Sequence, residues 1–304
     1  MKKRKQHYVS QFYLKPWETN GQLFCLRNGS IFKTSTINIG QQRDFYRLKE
    51  LTDQDVTNIK LLISKMPVSS QAMHQTWINF FNLIFDFKNF LRSKNAITPE
   101  IDAEIDIEIN NFEENLHVII EGTGASYIKK LLNSDTSFYN NIKCREEFCY
   151  FLSVQYFRTN RMRTRMIATF NQRSLNIPQE FIDFVPNMER CWGVLSHMFA
   201  ANVGFALSQM PLMLLHNKSE TPLITSDQPA INLKSTYDIT KHPEEFELYY
   251  PLSPRVAVVL TEGTTNISKN LQSNDVIMLN NALAASSLEQ IYANQEDVLK
   301  QYMN

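Results

Sequence analysis

The sequence predicts an α+β fold, a mainly helical middle packed on a small antiparallel sheet made from an N-terminal hairpin and C-terminal strands. Three observations predict it. Asn28-Gly29 sits between two β-prone runs, a long glycine-poor stretch repeats apolar residues at spacings of three and four, and short β-rich runs return after Pro222.

Taken in order, the runs Leu23 to Arg27 and Ser30 to Thr34 flank Asn28-Gly29, a dipeptide that readily takes the positive φ of a tight hairpin turn. Over residues 52–215, apolar residues such as Ile101, Ile105, Ile109, Phe112, Leu116 and Ile119 recur with helical period. Residues 101–109 also alternate with period two, but the pattern runs on to Ile120 without a breaker, which favours a helix. Gly122-Thr-Gly-Ala-Ser126 lacks a P-loop lysine and reads as a break between helices. Residues 147–170 read as one helix with Phe148, Phe151, Leu152, Gln155, Thr159, Met162 and Met166 on one side. Beyond Pro222, residues 223–225, 230–233, 247–252 and 255–261 read as strands, with Ser253-Pro254 as a turn. A last amphipathic helix is expected over residues 275–301, capped by Asn274. With no linker or repeat in view, the expectation is one domain over 1–304. Its parts are an N-terminal motif and hairpin (1–50), a helical region (51–215), a β-rich region (222–262) and the C-terminal helix, with the two β segments meeting in a single sheet.

Composition narrows the function classes. Of 304 residues 43% are hydrophobic, enough for a substantial core, and 31 Lys and Arg balance 31 Asp and Glu. An electrostatic partner must therefore be read by a local patch. Eight glycines leave little room for phosphate-binding glycine loops. The four cysteines (Cys25, Cys144, Cys149, Cys191) lack paired zinc spacing, and the longest apolar-looking stretch, 77–90, is interrupted by Asn79, Asp86 and Lys88. The expectation is a cytoplasmic, reduced protein with no membrane partner.

The candidate site residues come from four stretches. In the 147–170 helix, Arg158 lies about 60° from Gln155 at the edge of the apolar stripe. A buried guanidinium there needs a carboxylate, carbonyls or a bound anion. Residues 148–179 hold five arginines (Arg158, Arg161, Arg163, Arg165, Arg173) and no acid, whereas 95–128 hold eight acids and no lysine or arginine. The two segments either pair or solvate their own faces, or the Arg158–Arg173 basic helix contacts nucleic-acid phosphates. His7-Tyr-Val-Ser-Gln11-Phe-Tyr-Leu14-Lys-Pro-Trp17 is rich in aromatic and polar groups for a terminal segment, and His7 is suited to proton transfer. Thr225-Ser226-Asp227-Gln-Pro229 runs off an apolar strand into a turn without the G-x-S-x-G elbow.

In this chain order, the segment from His7 to Leu14, Gln155-x-x-Arg158-Thr159 with Arg165, Thr225-Ser226-Asp227-x-Pro229, Tyr250-Pro251-Leu252-Ser253-Pro254 and the Asn280-Asn281 pair resemble the domain-of-unknown-function 4238 family. The resemblance spans nearly the whole chain and implies one compact domain with a shared polar site. The chain departs from the family pattern at Ser10 and Asn160, where the family tends to have proline, and at Trp17, where it tends to have phenylalanine.

Two functions compete. The first is a phosphodiester hydrolase, a nuclease of the toxin or phage-defence kind. In it His7 is the general acid or base, Arg158 holds the phosphate, and Asp227 orients the histidine or binds a divalent ion. Gln11, Gln155, Thr159, Arg165 and Ser226 then bind substrate. No metal-binding motif lies on one element, so the metal requirement is unknown. The second function is a non-catalytic adaptor or sensor with a protein partner, in which Arg158 pairs with Asp227 and the polar groups form a structural network. Under either, His7, Gln11, Gln155, Arg158, Ser226 and Asp227 are expected to converge.

Overall fold

A computed structural model describes residues 1–171, 184–235, 245–262 and 268–303. The chain opens with strand β1 (Lys5–His7) and a one-turn helix α1 (Gln11–Leu14), followed by the hairpin β2 (Leu23–Arg27) and β3 (Ser30–Thr34) and by β4 (Gln41–Arg43). Asn28 and Gly29 take φ of 51° and 70°, the left-handed pair that the hairpin turn requires. The helical layer follows as α2 (Asp53–Ser64), α3 (Val68–Ser93), α4 (Pro99–Leu132), α5 (Ile142–Phe157), α6 (Asn160–Asn171) and α7 (Met188–Leu207). The C-terminal part holds β5 (Leu212–Asn217), β6 (Thr225–Ser226), β7 (Ile231–Asn232), β8 (Leu248–Pro251), β9 (Val256–Leu260) and β10 (Ser268–Leu271). After it come α8 (Ser273–Ser286), β11 (Gln290–Ala293) and α9 (Asp297–Lys300). The fold is α+β, as expected.

The strands do not form the single sheet expected. Among the described residues there are three sheets: β1-β4, a five-stranded sheet ordered β10-β5-β9-β8-β7, and a four-stranded sheet ordered β3-β2-β11-β6. The hairpin does share a sheet with Thr225–Ser226 and with β11, but β7, β8, β9 and β10 belong to the five-stranded sheet, whose β5–β10 pair is parallel. The period-two alternation explains the split. Leu214, Tyr250, Val258 and Leu260 face one core with α5, while Leu215, Tyr249, Ala257 and Val259 face a second core with α8 and β11. A sheet apolar on both faces needs cover on both, and the four-stranded sheet and α8 supply the second cover. A third core lies between α2, α3, the first half of α4, and α7.

Four boundaries depart from the sequence reading. The expected 147–170 helix is interrupted at Arg158 and Thr159. Thr159 Oγ1 accepts the Met162 amide at 3.3 Å, so it caps a new helix whose first residue is Asn160, the position where the family favours proline. The expected 275–301 helix stops at Ser286, because the Asp227 carboxylate takes the amides of Leu288 (2.8 Å), Glu289 (2.7 Å) and Gln290 (3.0 Å). That turn delivers Ile291 and Tyr292 as a strand between β2 and β6. Among its described residues the 51–215 region is mainly helical to Leu207 and then becomes β5. Gly122–Ser126 is no break: α4 runs through it, and Gly124 is where Phe151 of α5 lies so close that an added Cβ would sit 2.2 Å from the ring.

Candidate functional site

The N-terminal motif is a buried strap, with Gln6, Val9, Leu14 and Trp17 at 0% exposure. Such a segment would fray without anchors, and it has four. Trp17 Nε1 donates to Leu223 O (2.9 Å), Tyr13 Oη pairs with Thr225 Oγ1 (2.7 Å), Gln290 Nε2 donates to Tyr8 Oη (3.2 Å), and the His7 main chain is held by Arg158.

Arg158 is the hub of one polar centre. Its Nη2 donates to His7 O (2.6 Å), its Nε donates to Tyr46 Oη (2.9 Å), and its Nη1 donates to Glu121. Ser10 donates to the other Glu121 oxygen at 2.9 Å. Burial works against the Arg158 charge, but the Tyr46 oxygen and Glu121 outweigh it and keep the guanidinium protonated. The expected Arg158–Asp227 pair is therefore replaced by Arg158–Glu121. The acid-rich segment supplies the partner from α4, while the Asp227 oxygens are occupied by the amides of the 288–290 turn. Burial raises Asp227 to about 6, with those three amides pulling the other way.

His7 lies beside this centre. The Gln11 amide nitrogen faces its Nδ1 at 3.4 Å, so the neutral ring carries its proton on Nε2, which has no hydrogen-bond partner among the described residues. Burial lowers the His7 pKa; the Ile37 main chain opposes that, and the Arg158 charge adds to it. The other expected residues form a second knot. Thr159 donates to Gln228, whose amide nitrogen donates to Tyr156 O (3.1 Å) and Ala230 O (2.7 Å), while Ser226 Oγ and the Gln228 main chain close the Ser-Asp-x-Pro turn. Gln155 is buried with its amide nitrogen unpartnered among the described residues, and Arg165 reaches Ser235 at 3.0 Å. The expected convergence thus divides into a His7–Gln11–Arg158 centre and a Thr159–Ser226–Asp227 knot, joined through the strap. Arg173 lies outside the described residues.

Sequence reasoning missed a third group, continuous with the first. The Tyr46 ring packs on His117 at 4.6 Å between centroids, and His117 stacks on His197 at 5.5 Å. Glu113 lies one helical turn before His117 on α4, and His197 faces them from α7. Ligand atoms of Glu113, His117 and His197 all lie within 4.8 Å of one another, and all three side chains are buried. Burial lowers both histidines, His197 to about 3, with Arg158 adding to the effect, and burial raises Glu113 to about 8. The available signal was E-x3-H within the acid run, which puts two ligands on one helical face. It was hidden because the third comes from 80 residues downstream.

Above Glu113 opens a cleft of about 370 Å³ between residues 42–51, Arg163 of α6 and the start of α7. Five cations line it (Arg43, Arg47, Lys49, Arg163, Arg190) against Asp44, Glu189 and Glu113. Five cations against three acids make the lining net positive, although each cation has an ion-pair partner: Arg43 with Asp44 (3.6 Å), Arg47 with Asp106 (2.5 Å), Arg190 with Asp55 (2.8 Å), and Lys49 and Arg163 with a shared Glu189 (3.4 and 2.8 Å). Gly193 forms the wall over Glu113, where a Cβ would stand 3.0 Å from the carboxylate.

A chain with this α+β fold and strap-bound polar core falls in a class defined by sequence family. The sequence model of the family described as "Protein of unknown function (DUF4238)" matches residues 5–297, and the chain belongs to that family. No curated protein and no solved structure matches the chain. No helix among the described residues is long and apolar enough to cross a membrane.

Proposed function

We propose that the protein is a phosphodiester hydrolase acting on nucleic acid, of the kind a toxin or phage-defence effector would carry, with its substrate held in the cleft above Glu113. The observation that carries this reading is the net positive cleft lining, in a chain whose overall charge is balanced. Guanidinium groups match phosphate oxygens, and a local cationic cleft attracts a polyanion that the molecule as a whole would not. Arg158 contributes as a fixed charge under the cleft wall at Tyr46 rather than as a phosphate fork, since its three donor nitrogens are engaged. His7 is the group proposed for proton transfer; it is not among the cleft-lining residues, and Tyr46, which is, donates to its main-chain oxygen at 3.4 Å.

The test is incubation of the purified protein with total RNA, single-stranded DNA and plasmid, with magnesium, with manganese and with chelator. Arg163→Glu serves as the cleft variant. Cleavage that weakens with salt and is lost in Arg163→Glu is the expected result. Absence of cleavage on every substrate overturns the reading and leaves the adaptor. One specific observation favours that alternative: each of the three Arg158 side-chain nitrogens has an internal partner, as a structural network requires.

A further inference from the structure

We propose that Glu113, His117 and His197 form a binding site for a divalent transition-metal ion, zinc being the fitting probe. The proposal stands apart from hydrolysis, because its readout is bound metal. Two imidazoles and a carboxylate are a common ligand set for such ions, whereas magnesium and calcium prefer oxygen. The ligands come from two packed helices, so their backbones are fixed by the core and not by a loop.

The nitrogens are placed for the task. His117 Nδ1 and Nε2 and His197 Nε2 are buried and make no hydrogen bond among the described residues, a costly state for polar atoms that a shared cation would relieve. His197 Nδ1 meets the Tyr150 hydroxyl at 3.2 Å, the outer contact that fixes a ligating ring and leaves Nε2 as its free atom. Trp77 stacks on His197 at 4.9 Å, and Tyr46 packs on His117, so both rings are held in orientation. His117 Nε2 stands 3.6 Å from Glu113 Oε1. A tetrahedral ion with bonds near 2.0–2.1 Å sets its ligand atoms about 3.3 Å apart, so that pair is nearly in place, and the other separations, within 4.8 Å, contract by up to about 1.5 Å on binding. Three protein ligands leave a fourth position, as in catalytic rather than structural zinc sites, and Glu113 is the ligand that reaches the cleft wall.

The experiment uses full-length protein without a histidine tag, stripped with chelator and dialysed against zinc, cobalt(II) or magnesium. About one equivalent of zinc, no retained magnesium, and a visible cobalt spectrum that zinc erases are expected. The key variant is Glu113→Gln, which keeps the size of the side chain and removes the carboxylate ligand; its zinc affinity should fall at least about 10-fold. His197→Gln should do the same, and if it fails to fold, the wild-type cobalt spectrum and Glu113→Gln decide. Wild-type protein that keeps no stoichiometric zinc and gives no cobalt bands overturns the proposal. Glu113→Gln that binds zinc as tightly as wild type overturns it equally.

Discussion

Two glycines, two residues apart on α4, should respond oppositely to the same substitution. In a helix interior Gly→Ala gains about 1 kcal/mol from backbone entropy alone. Gly122 is exposed with nothing within 4 Å of an added Cβ, so Gly122→Ala should keep that gain and raise Tm by about 2 °C. Gly124 has the same gain to offer, but its Cβ would stand 2.2, 2.4 and 2.5 Å from three ring carbons of Phe151. That ring is fully buried, 6.3 Å from both Phe148 and Tyr250, so it has no free volume to rotate into. Overpacking typically costs about 1–3 kcal/mol, and so severe an overlap belongs at or beyond the upper end. The net for Gly124→Ala is therefore a loss of about 2 kcal/mol or more, or at least about 4 °C in Tm. Scanning calorimetry on both variants reads the difference. A second arm, Gly124→Ala in a Phe151→Leu background, should recover more than about 1 kcal/mol of the loss by a double-mutant cycle. Gly124→Ala melting at or above the wild-type temperature would refute the close helix approach on which this reasoning rests.

The Asp227 turn should be equally sensitive: Asp227→Asn sets an amide NH2 against the amides of Glu289 and Gln290, and a loss of about 3 kcal/mol is expected by urea unfolding, with faster hydrogen exchange across β11. Removing Arg158, which is buried, from its pair with the part-buried Glu121 leaves a charge and the His7 carbonyl without compensation, so Arg158→Ala should cost about 3 kcal/mol, whereas Asp227→Asn should leave the Glu121 end unchanged; a small Arg158→Ala effect would show the pair to be unimportant. Asp106 is held down to about 2 by Lys2 and Arg47. A depressed carboxylate contributes stability above its unfolded value that is lost as pH falls through its folded one. The Tm gap between wild type and Asp106→Asn should thus be full above about pH 4 and vanish toward about pH 2, modest throughout because the carboxylate is partly solvated.

The hairpin, the helical block and the strand-rich end were legible because each follows a local rule: a turn dipeptide, a period, a breaker. What escaped was decided by distant partners. Residues 287–293 carry no helix breaker; the Asp227 carboxylate, some 60 residues earlier, takes the amides of 288–290, and pairing with β2 and β6 holds the rest as a strand. The candidate site was legible in its members and not in its pairing. That Arg158 needed a buried counter-charge followed from its place on the apolar stripe. Which acid supplied it depended on how α4 crosses α5, a matter of Gly124 meeting Phe151, which no spacing within either helix reveals. Gln228 was passed over as the variable place in Ser-Asp-x-Pro, although its side chain closes the knot to Thr159.

The strap has a consequence for the life of the chain during synthesis. Its aromatic and apolar residues are synthesised well before partners that bury them; Tyr8 waits for Gln290, 282 positions later. At about 5–20 residues per second, the interval is on the order of tens of seconds. Throughout it the nascent chain carries Tyr8, Val9, Phe12, Tyr13, Leu14 and Trp17 together, an adhesive segment with its own destination not yet built. Closure of the fold around the strap is therefore a late, long-range event.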